Sequence, residues 1–324
     1  MCTSIRFNRT DHYFGRTLDV EFSFHEQVVI TPRRRVFHLK NGADFTTRYA
    51  LIGIAAVQQD TPLYYEAANE AGLAMAGLNF PGLACYQDPR EGFDNITPSE
   101  LLPWILGQAS TLAEARKLLA HLHLTNQPFA PDMPLSPLHF MLSDASGAIV
   151  MEPTAEGIQV YDNPYGVMTN APDFRYHSWN LQQYLHLSPR NQDNQFSAQY
   201  PLQNYAVGMG AVGLPGDCSS TSRFVRAAFN LANSSCPDTE SDNVTQFFHV
   251  LDSVSMVKGV VLTDSGKNDI TRYSCCINTT KGIFYYKTYD NNQISAIRLD
   301  HADLDGDKLI TYDLRDQQQI FFQN

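Results

Sequence analysis

Met1-Cys2-Thr3-Ser4-Ile5-Arg6-Phe7-Asn8-Arg9-Thr10-Asp11-His12-Tyr13-Phe14-Gly15-Arg16-Thr17-Leu18-Asp19 opens the chain. Two runs suited to extended backbone, residues 3–7 and 12–15, flank the polar turn Asn8-Arg9-Thr10-Asp11. That pattern predicts a hairpin folding residues 12–19 back beside 3–7 and bringing Arg16 or Asp19 toward Cys2. A third run, 27–31, stops at Pro32. Further extended runs occupy 49–57, 72–78, 148–152, 157–161, 272–277, 282–286 and 293–298, many of them bounded by Gly, Asn or Asp.

Helices are signalled between these groups of strands. Thr97-Pro98-Ser99-Glu100 reads as a capping box with Pro98 at the first helical position, ahead of Leu101, Leu102, Ile105 and Leu106. Thr111-Leu112-Ala113-Glu114 is a second box, followed by Ala115, Leu118, Leu119 and Leu122 at helical spacing. Phe224, Ala227, Ala228 and Leu231 predict another helix, and Phe247, Phe248 and Leu251 a fourth. Strands at both ends and helices grouped between them give an α+β fold, not a doubly wound parallel sheet. Repeats, low-complexity tracts and Gly/Ser linkers are absent, so residues 1–324 are expected to form a single domain.

The chain has 324 residues, 43% hydrophobic and 18% charged, enough for a large core. Its net charge of −11 counts against nucleic acid or an anionic membrane as a partner. No apolar run reaches the roughly 18 residues of a membrane span, and no signal peptide is read at the N-terminus, so a cytoplasmic protein is expected. Six cysteines show no C-x-x-C spacing, and Cys85, Cys218, Cys236, Cys275 and Cys276 read as structural thiols. Phosphate-loop, H-E-x-x-H and G-x-S-x-G motifs are missing. Asp303-Leu304-Asp305-Gly306-Asp307 echoes a calcium loop but has Leu314 at its twelfth position, so no metal is expected there.

Cys2 stands apart by position. Removal of Met1 would leave its thiol and a free α-amine on one residue, and an amine with a pKa of about 7.7–8.0 can accept the thiol proton near neutral pH. A neighbouring Arg would favour the thiolate, and an Asp could hold or orient the amine.

The opening Met1-Cys2-Thr3 with Tyr13-Phe14-Gly15-Arg16-Thr17-Leu18-Asp19 resembles the choloylglycine hydrolase family, specifically its bile salt hydrolases. The likeness continues through Asn69-Glu70-Ala71-Gly72-Leu73, Ala76-Gly77-Leu78-Asn79-Phe80-Pro81-Gly82, Pro137-Leu138-His139-Phe140 and Ser143-Asp144-Ala145-Ser146-Gly147. Met168-Thr169-Asn170-Ala171-Pro172, Gly213-Leu214-Pro215-Gly216-Asp217, Ser222-Arg223-Phe224-Val225-Arg226, Phe284-Tyr285-Tyr286 and Thr288-Tyr289-Asp290-Asn291 carry it to the C-terminal part.

The resemblance implies an αββα sandwich, that of the N-terminal-nucleophile hydrolases, with two antiparallel sheets between helical layers. It implies hydrolysis of the amide joining a bile acid to glycine or taurine, with no cofactor and no metal, in a homotetramer. On the matching positions Cys2 would be the nucleophile, Arg16 would favour its thiolate, and Asp19 would hydrogen-bond the terminal amine. Asn79 and Asn170 would hold the oxyanion, and Arg223 would complete the charged network. Apolar residues expected to line a steroid pocket are Leu18, Phe24, Val57, Phe129, Met133 and Leu138. Penicillin V and N-acyl homoserine lactones are competing substrates within the class, although penicillin V acylases typically carry Tyr in place of Asn79. A non-catalytic steroid-binding relative is the reading from another class. Several relatives have Ser-Arg-Gly where this chain has Ala206-Val207-Gly208, which leaves the choice between glycine and taurine open.

Overall fold

A computed structural model describes residues 1–324. Two antiparallel sheets dominate it. The six-stranded sheet runs, edge to edge, Val167–Met168, Cys2–Asn8, His12–Val20, Ile270–Asn278, Ile283–Thr288 and Asn291–Arg298. The eight-stranded sheet runs Gly157–Asp162, Gly147–Thr154, Leu138–Asp144, Ala74–Asn79, Thr61–Asn69, Leu51–Gln58, Gln27–Thr31 and Ile310–Asp313.

Side-chain alternation explains why the sheets stack between helices. Val28 and Ile30, Ala74 and Ala76, and Met141 join the core that also holds Phe14, Leu18 and Ile277 of the other sheet. Their neighbours Val29, Met75, Phe140 and Leu142 face the opposite way and pack on Leu101, Leu102, Ile105 and Leu112. The helices Leu101–Leu106 and Leu112–Leu119 thus cover the eight-stranded sheet, while Ser220–Ala232 and Glu240–Asp252 pack on the six-stranded sheet through Phe224, Phe247 and Leu251. The result is an αββα sandwich.

The differences from expectation have local causes. The first capping box is half formed: Glu100 Oε2 accepts from the Thr97 N–H at 3.0 Å, but the helix begins at Leu101. That start keeps Pro103 in the first turn, where a missing N–H costs no helical bond. The second box lies where it was read, with Thr111 capping through the Glu114 N–H. The strand Thr61–Asn69 follows a two-residue turn at Gln59 and Asp60, both at positive φ, where the sequence reads as a longer loop.

Candidate active site

The opening hairpin pairs Cys2 with Leu18 and Ser4 with Arg16. Directly opposed residues share a face, so Cys2, Leu18 and Arg16 point together toward the eight-stranded sheet. Thr3, Thr17 and Asp19 point the other way, toward the helix Ser220–Ala232, whose Arg223 bonds Thr3. All six of these hairpin residues are buried.

On the inner face Arg16 Nη2 donates to Cys2 Sγ at 2.6 Å. Its Nη1 donates to the Gly77 carbonyl at 2.6 Å and toward that of Tyr65 at 3.4 Å, and Nε donates to that of Thr17 at 3.0 Å. Glu66 lies beyond, with Oε2 3.8 Å from Arg16 Nε and accepting from Tyr273 Oη at 2.7 Å. Burial pushes the Glu66 carboxyl up to about 7, against the pull of Arg16. The anionic surroundings of Arg16, Cys2 first among them, more than offset its own burial and raise it.

Two β-bulges bracket this cluster. Ile54 opposes Glu66 but Ala55 opposes Tyr64, so Tyr65 is an extra residue and shares the inner side with Glu66. Tyr64 turns to the outer core instead. Gly53 permits the approach: a Cβ there would sit 2.0 Å from the Glu66 carbonyl oxygen. The second bulge, at Arg272, lets Thr271 face Asp19 while Tyr273 faces Glu66.

On the outer face Arg223 gathers neutral acceptors. Nη1 donates to the Cys2 carbonyl at 2.5 Å and to Thr3 Oγ1 at 2.7 Å, Nη2 to Asn170 Oδ1 at 2.8 Å, and Nε to the Cys218 carbonyl at 3.0 Å. Desolvation lowers Arg223 despite the nearby Asp19, Cys2 and Asp269. Asn170 Oδ1 also accepts from the Cys2 N–H at 2.8 Å, and Nδ2 donates to the Asn79 carbonyl at 2.7 Å. Two donors on one end and an acceptor on the other fix the amide's orientation, and the second N–H of Nδ2 is free for an incoming oxygen.

Asp19 does not reach the Cys2 nitrogen. Its carboxylate accepts from Thr17 Oγ1 and Thr271 Oγ1, at 3.1 and 2.6 Å, and burial raises it. The α-amine of Met1 donates to the Asp19 carbonyl and to Asp269 Oδ2, at 2.5 and 3.0 Å. With Met1 in place the Cys2 nitrogen is an amide, and the terminal amine meets Asp19 through its backbone carbonyl and not through its carboxylate.

The Thr169–Asn170 segment is held by groups that the sequence reading passed over. His139 bonds the Thr169 carbonyl at 2.8 Å and Glu152 at 3.2 Å while stacking on Phe80. His177 bonds the Asn170 carbonyl at 2.9 Å and stacks on Phe224, and burial lowers it to about 4. Ser220 Oγ contacts both the N–H and the carbonyl of Asn170 at 2.9 Å. Since Phe140 opposes Met151, the same register sets His139 beside Glu152, a signal available from that hairpin alone.

The apolar candidates divide. Leu18 is buried beside Cys2. Phe24 and Val57 line a cavity of about 390 Å³ with Tyr273, and Phe24 packs on Tyr65 at 5.7 Å. Phe129 lines a separate cavity of about 740 Å³ under Lys40. Met133 is half-buried in the connection before the Leu138–Asp144 strand, and Leu138 opposes Asn79, whose residue is exposed. Cys2 lines neither cavity, and the six apolar residues do not converge on one. Cys275 and Cys276 are fully buried with thiols raised by desolvation, and Asp305 is engaged by Arg33 and Arg34.

A family model described as linear amide C–N hydrolases, choloylglycine hydrolase family, matches residues 2–312. A bile salt hydrolase/transferase of Lactiplantibacillus plantarum is 47% identical over 324 residues, covering 100% of both chains. A crystal structure of the conjugated bile acid hydrolase from Clostridium perfringens superposes with a TM-score of 0.93 at 38% identity, covering 100% of each chain. Penicillin V acylase from Agrobacterium tumefaciens shares the fold, with a TM-score of 0.75 at 20% identity over 96% of this chain and 91% of its own.

Proposed function

The chain belongs to the choloylglycine hydrolase family of linear amide C–N hydrolases, and from that premise we propose how its buried cysteine cleaves the amide of glycine- or taurine-conjugated bile salts. The protein is an amide hydrolase of the bile salt hydrolase type. The observation that carries the mechanism is the 2.6 Å contact between Cys2 Sγ and Arg16 Nη2 at the head of the first strand.

Removal of Met1 converts the Cys2 amide nitrogen into an amine still within reach of Asn170 Oδ1. The neutral amine takes the thiol proton, and Arg16 stabilises the sulfur anion as it attacks the substrate carbonyl. The free N–H of Asn170, tied to the Asn79 backbone, is placed to receive the developing oxyanion together with Asn79. The ammonium then protonates the departing amino-acid nitrogen as the C–N bond breaks, leaving a bile acyl thioester. Water, deprotonated by the same amine, cleaves the thioester and restores the thiol. Arg223 holds Asn170 and the Cys2 carbonyl in register, and Asp19 sets a negative charge near the terminal amine. No cofactor or metal takes part in this scheme.

We assign the catalytic unit to residues 1–324, because strands from both ends of the chain complete both sheets. No helix is long and apolar enough to cross a membrane. A cytoplasmic homotetramer without a nucleic-acid partner is the assembly proposed; in its support, Leu185, Phe196, Tyr205, Val207 and Val212 are exposed along one stretch. For substrate contact, Leu18 is supported by its pairing with Cys2, Leu138 by its pairing with Asn79, and Phe24 and Val57 by the cavity they share; Phe129 and Met133 are proposed on their apolar character alone.

The test compares release of glycine and taurine from matched bile salt conjugates, with penicillin V alongside. Faster turnover of either conjugate than of penicillin V is expected. Cleavage of penicillin V alone would reassign the substrate, and binding without cleavage would make this a steroid-binding relative.

A further inference from the structure

Building on the role just given to Cys2, we propose that Glu66 is a positioning residue that competes with the Cys2 sulfur for the charge of Arg16 and so sets the pH at which the thiol becomes reactive. Arg16 reaches both groups: the sulfur lies 2.6 Å from Nη2 and the carboxylate 3.8 Å from Nε. All three are buried, Glu66 completely. Glu66 Oε2 is held by the Tyr273 hydroxyl, while Oε1 has no hydrogen-bond partner.

The groups around Glu66 come from four directions. Arg16 faces it from the opening hairpin, Tyr273 and Cys275 from the strand Ile270–Asn278, the backbone of Ile54 from the strand Leu51–Gln58, and Tyr65 from its own strand, with Glu26 beyond Tyr65. Arg16 is the cation among them. Arg223 and, once Met1 is removed, the Cys2 amine add positive charge on the Cys2 side, yet the thiolate and the carboxylate still share Arg16 and repel each other where water cannot screen them. Loss of a proton from Glu66 therefore makes loss of the Cys2 proton harder, and the reverse. The Tyr273 hydroxyl favours the carboxylate and strengthens the competitor; the unpartnered Oε1 weakens it.

The test follows alkylation of Cys2 by iodoacetamide against pH, read by intact mass on the mature full chain. Glu66→Gln removes the competing charge and keeps the shape, so the midpoint of the rate profile moves to lower pH by about one unit. Tyr273→Phe removes the hydrogen bond that favours the carboxylate and moves it the same way by less. The double variant matches Glu66→Gln alone, because both act through one group. The plateau of hydrolysis stays within about threefold, since Arg16 keeps its bonds to the carbonyls of Thr17, Tyr65 and Gly77. A midpoint that stays fixed or rises in folded Glu66→Gln protein overturns the proposal; where that variant does not fold, an unmoved midpoint in Tyr273→Phe does so. Alkylation reads the thiol without substrate. A shifted profile in protein inert toward bile salts would refute the functional reading alone, and active enzyme without the shift would refute only the role of Glu66.

Discussion

The two faces of the opening hairpin treat charge in opposite ways. Toward the eight-stranded sheet, Arg16 meets, besides three carbonyls, two groups that are or become anions: the Cys2 sulfur at Nη2 and the Glu66 carboxyl near Nε. Toward the helix Ser220–Ala232, Arg223 meets two carbonyls, a hydroxyl and an amide oxygen. Both arginines are buried, yet their surroundings raise the first and desolvation lowers the second. The inner face therefore adjusts a titration, and the outer face fixes geometry. Alternation along the two strands of the hairpin keeps the two tasks apart, because successive side chains point to opposite faces.

Changes at the sulfur should have the largest effect. Cys2→Ser is expected to fold with an unchanged melting temperature and to lose turnover by on the order of 10⁴-fold or more, measured as glycine or taurine release. Arg16→Gln comes next, with a loss of roughly 10²-fold at neutral pH that recovers at higher pH, since removing an adjacent cation moves a titration by about 1–3 units. Arg223→Gln sharpens the contrast. It should lower kcat about tenfold and displace the pH–rate profile less than Arg16→Gln does, while costing about 2 kcal/mol of stability in denaturant titrations as hydrogen bonds from a charged donor are lost.

The smallest effect concerns buried histidines. His12 and His177 lie at about 3 and about 4, below the ordinary 6.5, because burial disfavours their charged forms. Between those values and 6.5 the unfolded chain binds protons that the folded chain does not. Their stabilisation is thus full above about pH 6.5 and is lost as pH falls toward 4. Melting temperature should decline over that window, and less steeply in His177→Gln, as followed by circular dichroism; an equal slope in the variant would remove His177 from the account.

The hairpin was legible because its evidence is local: two extended runs, a polar turn, and an even spacing that puts Arg16 on the side of Cys2. Asn170 and Arg223 were reached through the family resemblance, and the outer face does gather them around Cys2. Glu66 was not legible. Its inward turn depends on a bulge at Tyr65, and its partner Tyr273 lies 207 residues away. A bulge inverts the alternation on which strand reading depends, so Tyr65-Glu66 reads as one residue in and one out. His139 reads as isolated until the register of its own hairpin supplies Glu152. The pocket candidates rested on apolar character, which most residues in a core share; that explains why Phe129 and Val57 line different cavities.

Mass spectrometry of enzyme inactivated by iodoacetamide, sampled at half-inhibition, tests the central claim most directly. The enzyme should begin at Cys2, one methionine shorter than the translated chain, and the inactivated fraction should carry a single carbamidomethyl group on the Cys2 thiol that rises in step with lost activity. Full activity from chains that keep Met1, or inactivation that tracks modification of Cys85, Cys218 or Cys236 instead, would contradict it.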